Sequence, residues 1–294
     1  MNSLFFPWIK FFSQITTHKS IPLGLQRNFL ENSISIIQKK KLPGYLREGH
    51  FAGMRADYHF PTYHGINRKT LLYAHGGGFS LLSSKTHRQL ISSISESAGV
   101  NAIAVDYPLA PEHPFPRAIE KLLNAYKDLL KQFPAESILL GGDSAGAGLV
   151  LSLQLMIERE KLPSPSGIIL LSPWIDLTCT GKSIKQNSNR DMMLTWSQLR
   201  RYRRKYCPPE LYSNPLVSPL YGNFKKIPPV LIQVGDSEIL LDDARRLEEA
   251  LSHKGFQAKL QIWPKTFHVW QFYGNEMKQS KQAIDEITSF IKSI

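Results

Sequence analysis

Short apolar runs alternate with amphipathic stretches along most of this chain, and that alternation limits what it can fold into more than any other feature. Strand-like runs recur at Leu71–Ala74, Asn101–Asp106, Ile138–Gly141, Gly167–Leu171, Val230–Val234 and Ala258–Trp263. Between them lie segments with apolar residues at helical spacing, such as Arg117–Lys131, Ala145–Lys161 and Asp242–Lys254, and Lys278–Ile294 reads as a closing helix. Runs this short read as buried strands. Strands that alternate with helices imply an α/β fold class, a mostly parallel sheet with helices on both faces. Ligands then bind beyond the carboxyl ends of the strands.

The segment Gly142-Asp143-Ser144-Ala145-Gly146 directly follows the run Ser137–Gly141, so a serine flanked by glycines sits where a strand turns into a helix. So tight a turn strains the serine backbone, and side chains two residues either side would meet neighbouring elements, which is what Gly142 and Gly146 avoid. The turn also aims the backbone N–H of Ala145 at any negative charge developing near the serine. Upstream, His75-Gly76-Gly77-Gly78-Phe79 follows the run Lys69–Ala74. Its bare backbone N–H groups, at Gly77 and Gly78, are suited to the same charge. A phosphate cradle is the competing reading. No Lys-Ser/Thr pair follows, and Gly146-Ala147-Gly148 lacks the third glycine of a dinucleotide fingerprint.

A serine hydroxyl needs a base to take its proton and an acid to orient that base. Downstream of Ser144 the chain offers Gly235-Asp236-Ser237-Glu238 after one strand and His268 after another, in the order Ser, acid, His. His87 and His113 lie in other segments, His75 precedes the glycine run and anchors it, and Asp143 reads as a hydrogen-bond acceptor that fixes the loop.

With these residues in place, the chain resembles the hormone-sensitive lipase family of α/β-hydrolase esterases, in its bacterial branch. The resemblance rests on His75–Phe79, Val105–Pro116, Gly142–Gly146, Val234–Asp243 and Phe267–Gln271 and spans most of the chain. It implies an α/β-hydrolase fold with a helical cap, Ser144 as nucleophile, His268 as general base and then acid, and Gly77, Gly78 and Ala145 as oxyanion hole. Two positions depart from the family. Many relatives carry Arg at Pro108, within an extended, proline-stiffened loop where the change is expected to be tolerated. Many also carry the catalytic Asp at the position of Ser237, leaving Asp236 and Glu238 on either side. The resemblance favours Glu238, since some family members with a Gly-Asp-x-Glu arrangement use the glutamate, whose extra methylene recovers the reach; Asp236 is its competitor.

Two regions fall outside the alternation and read as lid material: residues 1–45 and 177–226, flanking core segments 46–176 and 227–294. The second carries Met192, Met193 and Trp196, side chains suited to a roof over apolar acyl chains. Phe5, Trp8, Ile9 and Phe12 make an apolar stripe that reads as a cap helix, with a membrane-dipping helix as the alternative. No basic residue precedes Leu4-Phe5-Phe6 and no cleavage site is evident, so a signal peptide is not expected.

Lys and Arg number 36 against 24 Asp and Glu, a net charge of +12, concentrated at Arg200-Arg201-Tyr202-Arg203-Arg204-Lys205. The plain reading is a solvated helix face; peripheral contact with anionic membrane is the functional one. Nucleic-acid binding is not expected, since no reader module accompanies the run. The two cysteines, Cys179 and Cys207, give no metal-ligand spacing and no secreted framework, so a cytoplasmic location is expected and a disulfide between them stays open. At 294 residues with 42% hydrophobic composition, the chain can bury a full core. The expected activity is hydrolysis of a small-molecule ester of short to medium acyl length through an acyl-enzyme, with no metal or organic cofactor. An interfacial lipase or phospholipase is a rival, as is a non-catalytic receptor of the gibberellin-receptor kind, against which His268 argues. The oligomeric state is open, a homodimer included.

Overall fold

A computed structural model of the chain describes residues 21–37, 42–63 and 69–294. The aromatic stripe Phe5–Phe12 lies outside the described residues. An eight-stranded sheet forms the centre, in the order β1-β2-β4-β3-β5-β6-β7-β8. Its strands are β1 (Tyr45–Phe51), β2 (Met54–Phe60), β3 (Thr70–Ala74), β4 (Asn101–Val105), β5 (Ile138–Asp143), β6 (Gly167–Leu171), β7 (Val230–Gly235) and β8 (Ala258–Trp263). All neighbours from β4 to β8 are parallel, whereas β1 and β2 add an antiparallel hairpin at one end.

The apolar alternation explains both faces. Leu72 and Ala74 of β3, Ile138 and Leu140 of β5 and Ile168 and Leu170 of β6 point to one side. There they pack with helices α3 (Arg117–Leu130), α4 (Ala145–Arg159) and α7 (Leu241–Ser252). Their neighbours Leu71, Tyr73, Leu139, Ile169 and Leu171 point to the other, against α2 (Arg88–Ala98) and α8 (Lys278–Ser293). A strand buried on both faces has no polar stripe, which is why these runs read as continuous apolar segments.

The hairpin β1–β2 carries no such signal. Its strands include Arg47, Glu48, His50, Arg55, Asp57 and His59. Phe51 pairs with Met54 across a two-residue turn in which Ala52 and Gly53 both have positive φ, 50° and 73°, the backbone that matches strand twist. Buried Asp57 is kept tolerable by Arg55 at 2.9 Å and Arg88 at 2.7 Å, and buried His59 by the Ser92 hydroxyl at 2.8 Å.

Ahead of the sheet, α1 (Leu23–Ile37) reaches the loops that follow β3 and β4. Its Arg27 donates to the carbonyls of Ser80 and Ala110 at 2.8 and 2.9 Å and grips Glu112 through both terminal nitrogens. Between β6 and β7 the chain runs through α5 (Ser183–Gln186) and α6 (Trp196–Tyr206). Thr195 and Gln198 cap α6 reciprocally, side chain to backbone, which sets where it begins. Leu199, Tyr202 and Tyr206 are buried on its inner side, while Arg200 and Arg204 face solvent. Cys179 and Cys207 carry free thiols.

Candidate active site

Ser144 sits between the end of β5 and the start of α4 with φ of 51° and ψ of −122°, a conformation rare for a residue with a side chain. The strain is held from several sides. Its N–H donates to the carbonyl of Leu171 at 2.8 Å, and its carbonyl accepts from Trp174 at 3.0 Å. The flanking glycines are required by close approach. A Cβ on Gly142 would lie 2.7 Å from the Gly146 carbonyl carbon and 2.8 Å from the Ala74 oxygen, and one on Gly146 would run into the Ala74 and His75 carbonyls.

From Ser144 a line of hydrogen bonds runs through two other loops. His268, in the loop after β8, places Nε2 at 2.9 Å from Ser144 Oγ, and its Nδ1 lies 2.8 Å from Glu238 Oε2. Glu238 is fully buried, and its other oxygen accepts from the Gly235 N–H at 2.6 Å and the Ser172 hydroxyl at 2.8 Å. Ser172 in turn accepts from the N–H of Val269, tying the acid loop to the residue after His268. Asp236 does not join this line. Its Oδ1 accepts from the Ser237 hydroxyl and the Lys265 N–H within its own corner of the surface, and Arg190 stands 3.6 Å from Oδ2.

Burial alone would push the His268 imidazole down, but the hydrogen bond and charge of Glu238, joined by the charges of Asp191 and Asp143, hold it above the ordinary histidine value. Deep burial, with the charge of neighbouring His87, pushes His75 down to about 4, so this histidine is neutral near pH 7. His113 lies exposed, away from the serine.

The glycine run is a braced loop beside Ser144. Gly77 and Gly78 have φ of 112° and 60°. A Cβ on Gly78 would press to 2.7 Å from the ring of Tyr202 on α6, so α6 rests on the loop. Asp143 accepts from the Gly76 N–H at 2.9 Å and from the Tyr73 hydroxyl at 2.9 Å, with His87 beside it. The Tyr107 hydroxyl donates to the His75 carbonyl at 2.7 Å, and the two rings stack. Among the described residues no acceptor takes the N–H of Gly77 or Gly78. Ala145 opens α4, where a helix leaves its first N–H groups without intrahelical partners. Among the described residues, no group of three His, Cys, Asp or Glu could hold a metal ion.

Several participants were invisible in the sequence. Ser172, Asp191, Asn187 and Tyr202 carry no local pattern and enter only because distant segments converge. The positive φ of Ser172, 46°, comes at the end of β6 in Leu171-Ser172-Pro173, and that strand-end position was the one available hint.

Residues 71–272 match the model of a family described by its alpha/beta hydrolase fold. An acetyl-hydrolase of Streptomyces hygroscopicus is 38% identical over 226 residues, 76% of each chain. An esterase of Acinetobacter venetianus is 36% identical over 226 residues, 76% of this chain and 75% of that one. Among solved structures, an esterase from the bacterial hormone-sensitive lipase family superposes with a TM-score of 0.91 at 31% identity, covering 100% of this chain and 99% of that one. The chain belongs to the alpha/beta-hydrolase family, in its bacterial hormone-sensitive lipase branch, and is a hydrolase of the esterase class. No helix among the described residues is long and apolar enough to cross a membrane.

Proposed function

We propose that this protein is a serine carboxylesterase that cleaves short to medium acyl esters through an acyl-enzyme. The carrying observation is the continuous hydrogen-bond line from Ser144 through His268 to Glu238, at 2.9 and 2.8 Å. Ser144 Oγ attacks the ester carbonyl while His268 Nε2 takes its proton; Glu238 holds the imidazole by Nδ1 and stabilises the imidazolium. The carbonyl oxygen becomes an alkoxide in reach of the N–H groups of Gly77, Gly78 and Ala145. Donors fixed in advance at such a charge are worth about 2.7–4 kcal/mol each. His268 then protonates the departing alcohol, and a water activated by the same imidazole releases the acid.

The preference for short acyl groups is supported by the acetyl-hydrolase among its relatives. Residues 1–45, of which 1–20 and 38–41 lie outside the described residues, and 177–226 act in this reading as a cap over core segments 46–176 and 227–294. Tyr202 and Leu199 of that cap are buried against the core. Hydrolysis of a nitrophenyl ester series from acetate to palmitate, with Ser144→Ala and His268→Ala alongside, tests the reading. Turnover falling beyond the middle chain lengths and abolished in both variants is expected; an undiminished Ser144→Ala variant would overturn it.

A second reading concerns where the enzyme works. The outer side of α6 carries Arg200, Arg204 and partly exposed Trp196, and no acidic residue lies within that helix. Such a face suits an anionic lipid surface. Salt-reversible binding to phosphatidylserine vesicles is its test, and equal binding to neutral vesicles counts against it. The cytoplasmic location remains part of the same proposal.

A further inference from the structure

One carboxylate near the site has no role in the scheme above. Asp191 lies in the insertion between β6 and β7, directly ahead of Met192 and Met193, which pack against Phe267 and Trp270 on either side of His268 and Val269. Both of its oxygens are occupied by backbone. Oδ1 accepts from the N–H groups of Met193 and Leu194, each at 2.9 Å. Oδ2 reaches across 48 positions of sequence to the N–H of Ile239 at 2.8 Å, the residue following Glu238. Asn187, from the same insertion, donates to the carbonyls of Glu238 and Asp236 at 2.8 and 3.2 Å. The insertion therefore grips the acid loop on both sides of the Glu238 side chain.

We propose that Asp191 is a positioning residue for the proposed serine mechanism: it clamps the backbone that carries Glu238 and adds its negative charge to those of Glu238 and Asp143, so the insertion helps decide how readily the imidazole accepts the serine proton. Three backbone N–H groups fall on its two oxygens, a set that an ionised carboxylate, acceptor at both atoms, satisfies. Both oxygens must accept, so an amide here turns its NH2 toward a backbone N–H and loosens the clamp as well as removing the charge. What the carboxylate also adds is field. The charged groups facing His268 are Glu238 from the acid loop, Asp143 from the end of β5 and Asp191 from the insertion, and all three favour the imidazolium. Asp191 is itself held above the ordinary aspartate value, by burial first and then by the charge of Glu238. Arg190, next to it in sequence, turns instead to Asn187 and Asp236.

The experiment is the pH dependence of kcat/KM for nitrophenyl acetate in wild type, Asp191→Asn, Asp191→Glu and Asp191→Ser, with thermal midpoints measured in parallel. Losing the negative charge destabilises the imidazolium, so the acidic limb of the profile should move to lower pH in Asp191→Asn, by about half a unit or more. Asp191→Glu restores the charge and should return the limb toward its wild-type position even where the plateau rate is lower. Asp191→Ser, uncharged and smaller, repeats the test if the Asn variant does not fold. An acidic limb left at the wild-type pH in both uncharged variants overturns the proposal and leaves Asp191 as a backbone clamp only. The inference rests on the serine mechanism, and His268→Ala separates the two failures. An active His268→Ala variant sinks the mechanism, whereas an inactive one beside an unmoved limb sinks only the role of Asp191.

Discussion

Replacing Glu238 by Gln changes one atom's chemistry without changing the shape of the side chain, and the surroundings dictate which way the amide turns. The pocket of Oε1 presents two donors, the Gly235 N–H at 2.6 Å and the Ser172 hydroxyl at 2.8 Å. The backbone donor cannot turn away, so the amide oxygen takes that position and the NH2 group faces His268. An NH2 donates to Nδ1, which leaves the proton of a neutral imidazole on Nε2. Nε2 then donates to Ser144 Oγ and cannot receive its proton. In serine proteases the same wrong-tautomer substitution lowers kcat about 10⁴-fold. At about 1.36 kcal/mol per factor of ten, that is about 5.4 kcal/mol of barrier. The same order is expected here, with the fold retained. Steady-state hydrolysis of nitrophenyl acetate at pH 8, alongside a thermal melt, measures both. Asp236→Ala is the companion, because the Asp236 carboxylate bonds to Ser237 and Lys265 and pairs with Arg190 outside the hydrogen-bond line, and the variant should stay within a few-fold of wild type. Near-normal turnover in Glu238→Gln with a crippled Asp236→Ala would refute the reasoning.

Three further outcomes follow from the geometry. Gly146→Ala should destabilise the fold by about 1–3 kcal/mol or prevent it, since the new methyl meets the backbone carbonyls of Ala74 and His75; a melt unchanged within a degree would contradict this. In the wild-type enzyme, kcat/KM should rise with pH as His268 loses its proton, with the midpoint above 6.5 because Glu238, Asp191 and Asp143 outweigh burial. A midpoint below 6 would show that burial dominates. Asp243 is pushed up to about 8 by burial and then by the charge of Asp176, while its Oδ2 accepts from the N–H groups of Ile175 and Asp176, each at 3.0 Å. Its raised folded value means stability is lost as pH rises from the unfolded carboxylate range through 8. Asp243→Asn keeps one accepting oxygen and removes that loss. It should therefore stabilise the fold at pH 9 by about 1–2 kcal/mol, read as a higher thermal midpoint, and a lower midpoint there would count against this account.

The sequence by itself determined the layout of the core. Apolar runs buried on both faces of a parallel sheet leave a pattern that needs no partner to be seen, and the runs around β3 to β8 carry it. The turn at Ser144 was equally legible, because Gly142 and Gly146 answer a steric demand of the turn itself. The charged hairpin β1–β2 was not. Its stability comes from partners such as Arg88 and Ser92 in another segment, so its own residues look like a polar loop.

Only the tertiary structure separates Asp236 from Glu238, two residues apart on one loop, and sets Glu238 against His268. Their local sequence treats them alike; what separates them is that β6, β7 and β8 end side by side, bringing Ser172, Gly235 and His268 around one carboxylate and leaving the other at the surface. The same holds for Asp191, whose contact with Ile239 spans the whole of α6 and β7. Periodicity and sterics act over a few neighbours and are written in the order of residues, whereas a hydrogen-bonded relay depends on distances between loops that only the packed sheet brings together.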